Sequence, residues 1–308
     1  MLAYAARRLA ALPPTLFIIV TLAFVVVRVA PGGPFDAEQS LTPQVKANLE
    51  RAYGLDQPLA LQYVRYLRAL AHGDFGPSLK YRDLSVRALI AQGLPVSLLL
   101  GGAALLFALA VGVPLGIWAA LRRGSAVDHG IMGAAVLGVV LPSFVTGPLL
   151  ALIFGLWLRW LPVAGWQHGN PYYLVLPVVT LAVPLLAYIA RLIRSSLLEV
   201  LQSDFIRAAR ARGLGSARVI WRHALPPALL PVVSYLGPAA AFVVTGSLVI
   251  ETVFGLPGTG RYLVEGAIDR DYTLVMGMVV VYGLITLLCN LVADLVYGWL
   301  DPRIGHAS

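Results

Sequence analysis

Six stretches of the chain run free of Asp, Glu, Lys and Arg for long enough to cross a lipid hydrocarbon core, which takes about 20 apolar residues in a helix. The first covers residues 9–27, flanked by Arg7, Arg8 and Arg28. Four more lie between Arg87 and Arg122, Asp128 and Arg159, Arg159 and Arg191, and Arg222 and Glu251. The last covers residues 272–293 and continues past Asp294 toward Leu300. With six crossings, both termini fall on the same side. The first stretch resembles a signal peptide, but it exceeds the usual apolar core of about 7 to 15 residues, so it is read as a retained span.

A long polar segment, residues 31–95, separates the first two spans and carries Lys46, Arg51, Arg65, Arg68, Lys80, Arg82 and Arg87 against Asp36, Glu38, Glu50, Asp56, Asp74 and Asp83. Within it, Thr42 is placed to cap a helix that Gly54 ends, and Leu59, Tyr63, Tyr66, Leu67 and Leu70 recur at helical spacing. Two short amphipathic helices are expected. Inside the spans recur Gly112, Pro114, Gly116, Pro142, Pro148, Pro177, Pro184, Pro238 and Gly283. They fit close helix packing and also a pathway of kinked helices that rock between two states. Few ionisable groups sit deep in the spans, which argues against a proton-driven carrier or a voltage sensor. Asp294, near a span end, is expected to be paired or to reach the interface.

Composition supports this reading. Of 308 residues, 59% are hydrophobic and 12% charged, with a mean hydropathy of +0.80, which excludes an ordinary soluble domain. The formal charge of +8 is sorted by side. Arg7, Arg8, Arg122, Arg123, Arg191, Arg194, Arg207, Arg210, Arg212, Arg218, Arg222 and Arg303 fall on one side; in short segments the other has Arg159, Arg261 and Arg270. The rule that basic residues stay inside puts both termini and residues 203–227 in the cytoplasm, while the long segment crosses regardless of its charge.

Catalytic chemistry is sparse. Cys289 is the single cysteine, and His72, His129, His168, His223 and His306 are scattered, so neither a disulfide nor a metal site is expected. There is no G-x-S-x-G and no H-E-x-x-H. The two lysines, Lys46 and Lys80, each follow a non-glycine residue, so no phosphate-binding G-K-[ST] exists. If ATP powers this chain, a partner hydrolyses it.

The most basic segment is "SDFIRAARARGLGSARVIWRHALPP", residues 203–227. Ser203 or Asp204 can cap a two-turn helix, about 12 Å long, that Gly213 stops in the left-handed conformation. Arg207 and Arg210 share a face, and Ala208, Ala209 and Ala211 let another protein approach closely. Ser216 can cap a second helix, "ARVIWRHAL", leading to Pro226 and Pro227 before the fifth span. Anionic lipid, nucleic acid or a plain loop could explain the arginines. Lipid anchoring does not require alanines and a glycine at set places, and nucleic acid usually calls for stacking aromatics that are sparse here.

Ala208, Ala209, Gly213, Leu225 and Pro226 make the pattern A-A-x-x-x-G followed by L-P, similar to the EAA signature of ABC importer permeases. Arg207 stands where that signature has Glu, and His223 where it has an apolar residue, both resembling the peptide-transporting branch. "RRLAALPPTLFIIVTLAFVVVRVAPGGPF", "AHGDFGPSLKYRDLSV", "GSLVIETVFGLPGTGRYLVEGAIDRDYTLV" and the final "DPRI" look like collinear segments of oligopeptide and dipeptide permeases.

The resemblance implies an all-α membrane protein with six transmembrane helices, an extracytoplasmic helical insertion between the first two, and a cytoplasmic coupling helix between the fourth and fifth. Residues 1–30 would form the N-terminus and first span, 31–95 the insertion, 96–300 a five-span core with the coupling loop at 195–226, and 301–308 a cytoplasmic tail. It implies one of two homologous permease subunits in a bacterial inner membrane, working with two ABC ATPases and an extracytoplasmic peptide-binding protein, without nucleic acid. Asp204, Arg207, Ala208, Ala209, Ala211, Arg212, Gly213 and Leu214 would contact the ATPase. The chain itself would bind no cofactor, with ATP and Mg on the ATPases. Oligopeptide is the expected cargo; dipeptide, glutathione and nickel remain alternatives. A secondary carrier would transport without ATP, and an intramembrane enzyme would turn over alone.

Overall fold

The computed structural model describes residues 2–30, 32, 33, 35, 42–81, 83–167 and 170–300. Pro31, Asp36, Glu38, Arg82, His168, Arg303, His306 and the expected tail 301–308 lie outside the described residues. The helices are α1 (Leu2–Val29), α2 (Pro43–Ala52), α3 (Leu59–Ala71), α4 (Val86–Leu121), α5 (Ala126–Val140), α6 (Ser143–Leu150), α7 (Tyr172–Leu201), α8 (Asp204–Ala211), α9 (Ser216–Arg218), α10 (Leu225–Gly246), α11 (Leu248–Phe254), α12 (Thr259–Ile268) and α13 (Tyr272–Leu300). Wider π-helical turns cover Ala151–Trp157 and Val219–Ala224.

Among the described residues, five helical runs are long and apolar enough to cross a membrane: Ala6–Val29, Val86–Leu121, Tyr172–Leu201, Ser216–Val243 and Tyr272–Gly298. The third apolar interval is not a straight span. It is a pair, Ala126–Val140 and Ser143–Trp157, bent by 107°. The cause is local: Leu141 precedes Pro142, whose ring disfavours the helical region for its neighbour, and Leu141 is extended with ψ 117.

The chain divides into two compact units. The larger contains Ser97–Leu256 with residues 2–10 and 285–300. Here α7 packs against α5, α6 and α10. Gly112 and Gly116 of α4 lie directly on α7: a Cβ at Gly112 would stand 2.9 Å from the Leu186 carbonyl oxygen, and one at Gly116 2.6 Å from that of Ala190. Small residues four apart thus set this contact. Asp294 pairs with Arg8 at 2.8 Å, the expected structural role. Glu251, which bounds the fifth apolar interval, is fully buried in α11 and accepts hydrogen bonds from Ser97 Oγ and Ser247 Oγ, each at 2.6 Å.

The expected separate helix "ARVIWRHAL" is instead the beginning of one run through α9, the wide turn and α10. Ser216 makes no cap; the cap position belongs to Gly215. Pro226 and Pro227 occupy the first turn of α10. Proline lacks an N–H and is tolerated there, where the wide register of Val219–Ala224 gives way to the ordinary one.

The smaller unit contains Ala11–Val96 and Pro257–Leu284, so the insertion 31–95 folds with most of α1, with α12 and with the start of α13. Thr42 caps α2, its side chain accepting from Val45 N at 3.4 Å. Gly54, at φ +65, closes α2, with Gly54 N bonded to the Arg51 carbonyl (3.0 Å) and Leu55 N to that of Glu50 (2.8 Å). On α3, Tyr63, Tyr66, Leu67 and Leu70 are half-buried, but Leu59 is exposed and Gln62 is the buried residue, its amide donating to the Leu55 and Gln57 carbonyls. Tyr63 meets α1 through Thr21 Oγ1 (2.6 Å) and the edge of Phe24.

Val86, Leu89, Ile90, Leu274 and Met278 form the core of this unit. Beside it, the fully buried Asp271 carboxylate works in two directions. Its Oδ2 accepts from Ser78 Oγ (2.5 Å), Leu79 N (2.9 Å) and Lys80 N (3.2 Å). Its Oδ1 accepts from Thr273 Oγ1 (2.9 Å) and Leu274 N (3.0 Å), capping α13. Lys80–Asp269 and Tyr81–Glu265 pair alongside.

Candidate functional site

The turn from α7 to α8 is set by Ser203, whose extended backbone (φ −69, ψ 155) makes it the cap position of α8. Its hydroxyl donates back to the Val200 carbonyl at 2.6 Å rather than to the new helix. Of the apolar residues of α8, Ile206 and Ala209 are buried. The end of α8 is a complete left-handed stop. Gly213 adopts φ +78, its N–H bonds the Arg210 carbonyl at 2.9 Å, and Leu214 N bonds that of Ala209 at 3.4 Å.

Of the eight residues singled out in sequence, Asp204, Arg207, Ala208, Ala211, Arg212 and Gly213 are exposed and Leu214 is half-buried. Ala209 is turned inward at 9% exposure, so it seats the helix rather than presenting a surface. Asp204 and Arg207 form an ion pair within the first turn. α8 packs against Val219–Ala224, where Trp221 is 63% exposed, and Phe205 on α8 is 51% exposed. An outward face with two large aromatics, two alanines and several arginines is suited to bury apolar area against a partner bearing negative charge. The aromatics were not among the sequence candidates. Their signal was present: large apolar side chains in an otherwise strongly basic loop.

Two turns before the end of α7, Arg194 makes a fork with Asp128 of α5, Nε to Oδ1 at 2.5 Å and the terminal nitrogen to Oδ2 at 2.7 Å. Ser125 caps α5 through Asp128 N (3.3 Å), and Gly124 N donates to Asp128 Oδ2 (3.0 Å). The Asp128 side chain is 3% exposed and that of Arg194 28%. α8 therefore follows a helix whose end is tied to α5. Asp128→Asn should lower stability by about 2 kcal/mol, less than for a fully buried pair because water reaches Arg194. Thermal unfolding of the purified protein would measure this. Adding Arg194→Met should restore part of the loss, and an unaltered midpoint in the single variant would remove the pair from the account.

Residues 112–306 match the family described as binding-protein-dependent transport system inner membrane component. Residues 1–80 match its N-terminal counterpart. Over 306 residues the chain is 50% identical to the oligopeptide transport system permease protein OppB of Salmonella typhimurium, covering 99% of this chain and 100% of the relative. It is 44% identical to the dipeptide transport system permease protein DppB of Bacillus subtilis over 304 residues, 99% of this chain and 98% of that one. A solved structure of the MetNI methionine ABC transporter in an inward-facing conformation is similar in fold. It aligns with TM-score 0.55 at 18% identity over 69% of this chain and 96% of that one.

Proposed function

This chain belongs to the family of binding-protein-dependent transport system inner membrane components, and on that premise we propose that it is one permease subunit of an ATP-driven importer of oligopeptides. The observation that carries the reading is α8, a short helix held by Ile206 and Ala209, ended by Gly213, and presenting Phe205, Ala208, Ala211, Arg207 and Arg210 outward, with Arg212 exposed just after it. In this proposal the chain sits in a bacterial inner membrane with both termini in the cytoplasm. It pairs with a second permease, α8 and its partner's equivalent each dock on one of two ATPases that hold ATP and Mg, and a peptide-binding protein delivers cargo outside. The chain itself performs no catalysis.

ATP binding would draw the ATPases together and carry α8 with them. Because α8 follows α7, and Arg194 ties α7 to α5, the movement would pass to both helices. The equilibrium shifts only as far as ATP distinguishes the two states of the complex. The 50% identity to an oligopeptide permease exceeds the 44% and 39% to dipeptide permeases, which favours the longer cargo. Uptake of pentapeptides against dipeptides by the reconstituted complex separates the two.

Docking is tested by cysteine crosslinking in a Cys289→Ser background. Ala208→Cys should crosslink to a cysteine placed in the ATPase, while Ala209→Cys, facing inward, should react at least tenfold more slowly. Equal yields at both positions, or none at any exposed position of α8, would count against the surface.

A further inference from the structure

The smaller unit contains a cavity of about 180 Å³ whose lining includes Arg28, Gln62, Arg65, Tyr66, Asp74 and Tyr272. Among the described residues, three buried side-chain polar atoms lack a hydrogen-bond partner: Arg28 Nε, Gln62 Oε1 and Tyr66 Oη. All three residues line this one cavity. Native proteins leave few such atoms, and three in one place point to a missing ligand.

The chemistry of the three atoms is specific. Gln62 is 8% exposed, and its Nε2 is engaged by the Leu55 and Gln57 carbonyls at 3.0 and 2.7 Å. That fixes the amide and leaves Oε1 as an acceptor. Tyr66 lies one turn further along α3 and so on the same face. Burial pushes its phenol up to about 12, so it stays protonated and can donate. The Arg28 guanidinium sits 5.4 Å from the Phe24 ring and 5.2 Å from the Tyr272 ring, contacts that occupy its faces but not its Nε–H. Arg65 donates to Gln57 Oε1 (2.6 Å) and Asp74 accepts from Gly76 N (2.9 Å). The charged residues of the lining are Arg28 and Arg65 against Asp74, a net positive balance.

Water would supply hydrogen bonds but not the negative charge. We propose that the cavity binds a carboxylate flanked by an N–H donor, as in the C-terminal residue of a peptide or in an aspartyl side chain with its own amide. The carboxylate would take the Arg28 Nε–H and the Tyr66 O–H, and the amide N–H would donate to Gln62 Oε1. The volume equals about six water molecules, room for a group of one small residue. This site is independent of the import reading: it requires neither ATPase nor second permease.

The test is isothermal titration of the full chain in lipid nanodiscs at constant ionic strength. The probes are N-acetylglycine, the α-amide of N-acetylaspartate, and N-acetylglycinamide, which has no carboxylate. At least one carboxylate should saturate a single site per chain, and the neutral amide should not bind. The tighter of the two carboxylates identifies the source as a chain terminus or a side chain. Tyr66→Phe, which keeps the ring and removes the donor, should weaken binding about tenfold. No saturable binding of either carboxylate, equal binding of the neutral amide, or unchanged affinity in Tyr66→Phe would each overturn the proposal and leave a water-filled space.

Discussion

Gly213→Trp is expected to insert and fold while abolishing peptide import. Its position is left-handed, φ +78, and a Cβ built there meets no other atom within 4 Å. An L-residue pays about 1–2 kcal/mol for that conformation, and its side chain starts from a Cβ in open space. The damage should fall on whatever approaches α8 from outside. The measurements are the amount of folded protein extracted from membranes and ATP-dependent uptake by the complete complex in proteoliposomes. Gly213→Asn is the control, since asparagine tolerates the left-handed region and is short; it should keep most of the uptake. Wild-type uptake by Gly213→Trp would defeat the docking assignment, whereas loss of folded protein would mean that the stop is needed for the fold itself.

Asp271→Ala should be the most destabilising single change in the smaller unit. It removes the acceptor for Ser78, Leu79 and Leu274 together, at a fully buried position, and one of two acceptors within reach of Lys80 N and Thr273 Oγ1, which keep Ser78 Oγ and the Pro77 carbonyl. Each buried donor left without a partner costs about 1–3 kcal/mol, and the lost helix cap about 1. With partial relaxation and access of water, about 4 kcal/mol in total is the expected loss. Asp271→Asn, which keeps one acceptor oxygen and introduces a donor among donors, should lie between. Hydrogen exchange reads the effect locally: the amides of Leu79, Lys80 and Leu274 should lose protection first. Unchanged protection at those three in Asp271→Ala would show that the carboxylate does not hold the segment.

What could be read from the residues was what neighbouring residues decide. Thr42, Gly54 and Gly213 act through contacts a few positions away, and the structure places each as expected. The bend at Leu141–Pro142 was hidden because proline alone does not signal it. Pro177, Pro184, Pro231 and Pro238 all sit inside helices that continue. Ala209 and Ala208 are the same residue type side by side, and only the packing of α8 on Val219–Ala224 separates the seated one from the exposed one. Gln62 is buried because carbonyls outside its own helix receive its amide, a relation that apolar periodicity cannot express. The anchor of the insertion was hidden for a similar reason: Asp271 lies far along the chain from residues 78–80.

That separation bears on the order in which the molecule can be made. Ser78 and Asp271 are 193 residues apart, and most of the larger unit, Ser97–Leu256, lies between them. The ribosome therefore releases α2, α3 and the beginning of α4 long before the carboxylate that locks them exists. During that interval the amides of Leu79 and Lys80 have no Asp271 to bond. Contacts so distant in sequence form late because the closure of a long loop comes first. The smaller unit is thus finished by residues made late, and its early half must wait, with the middle of the chain already emerging, for the start of α13 to arrive.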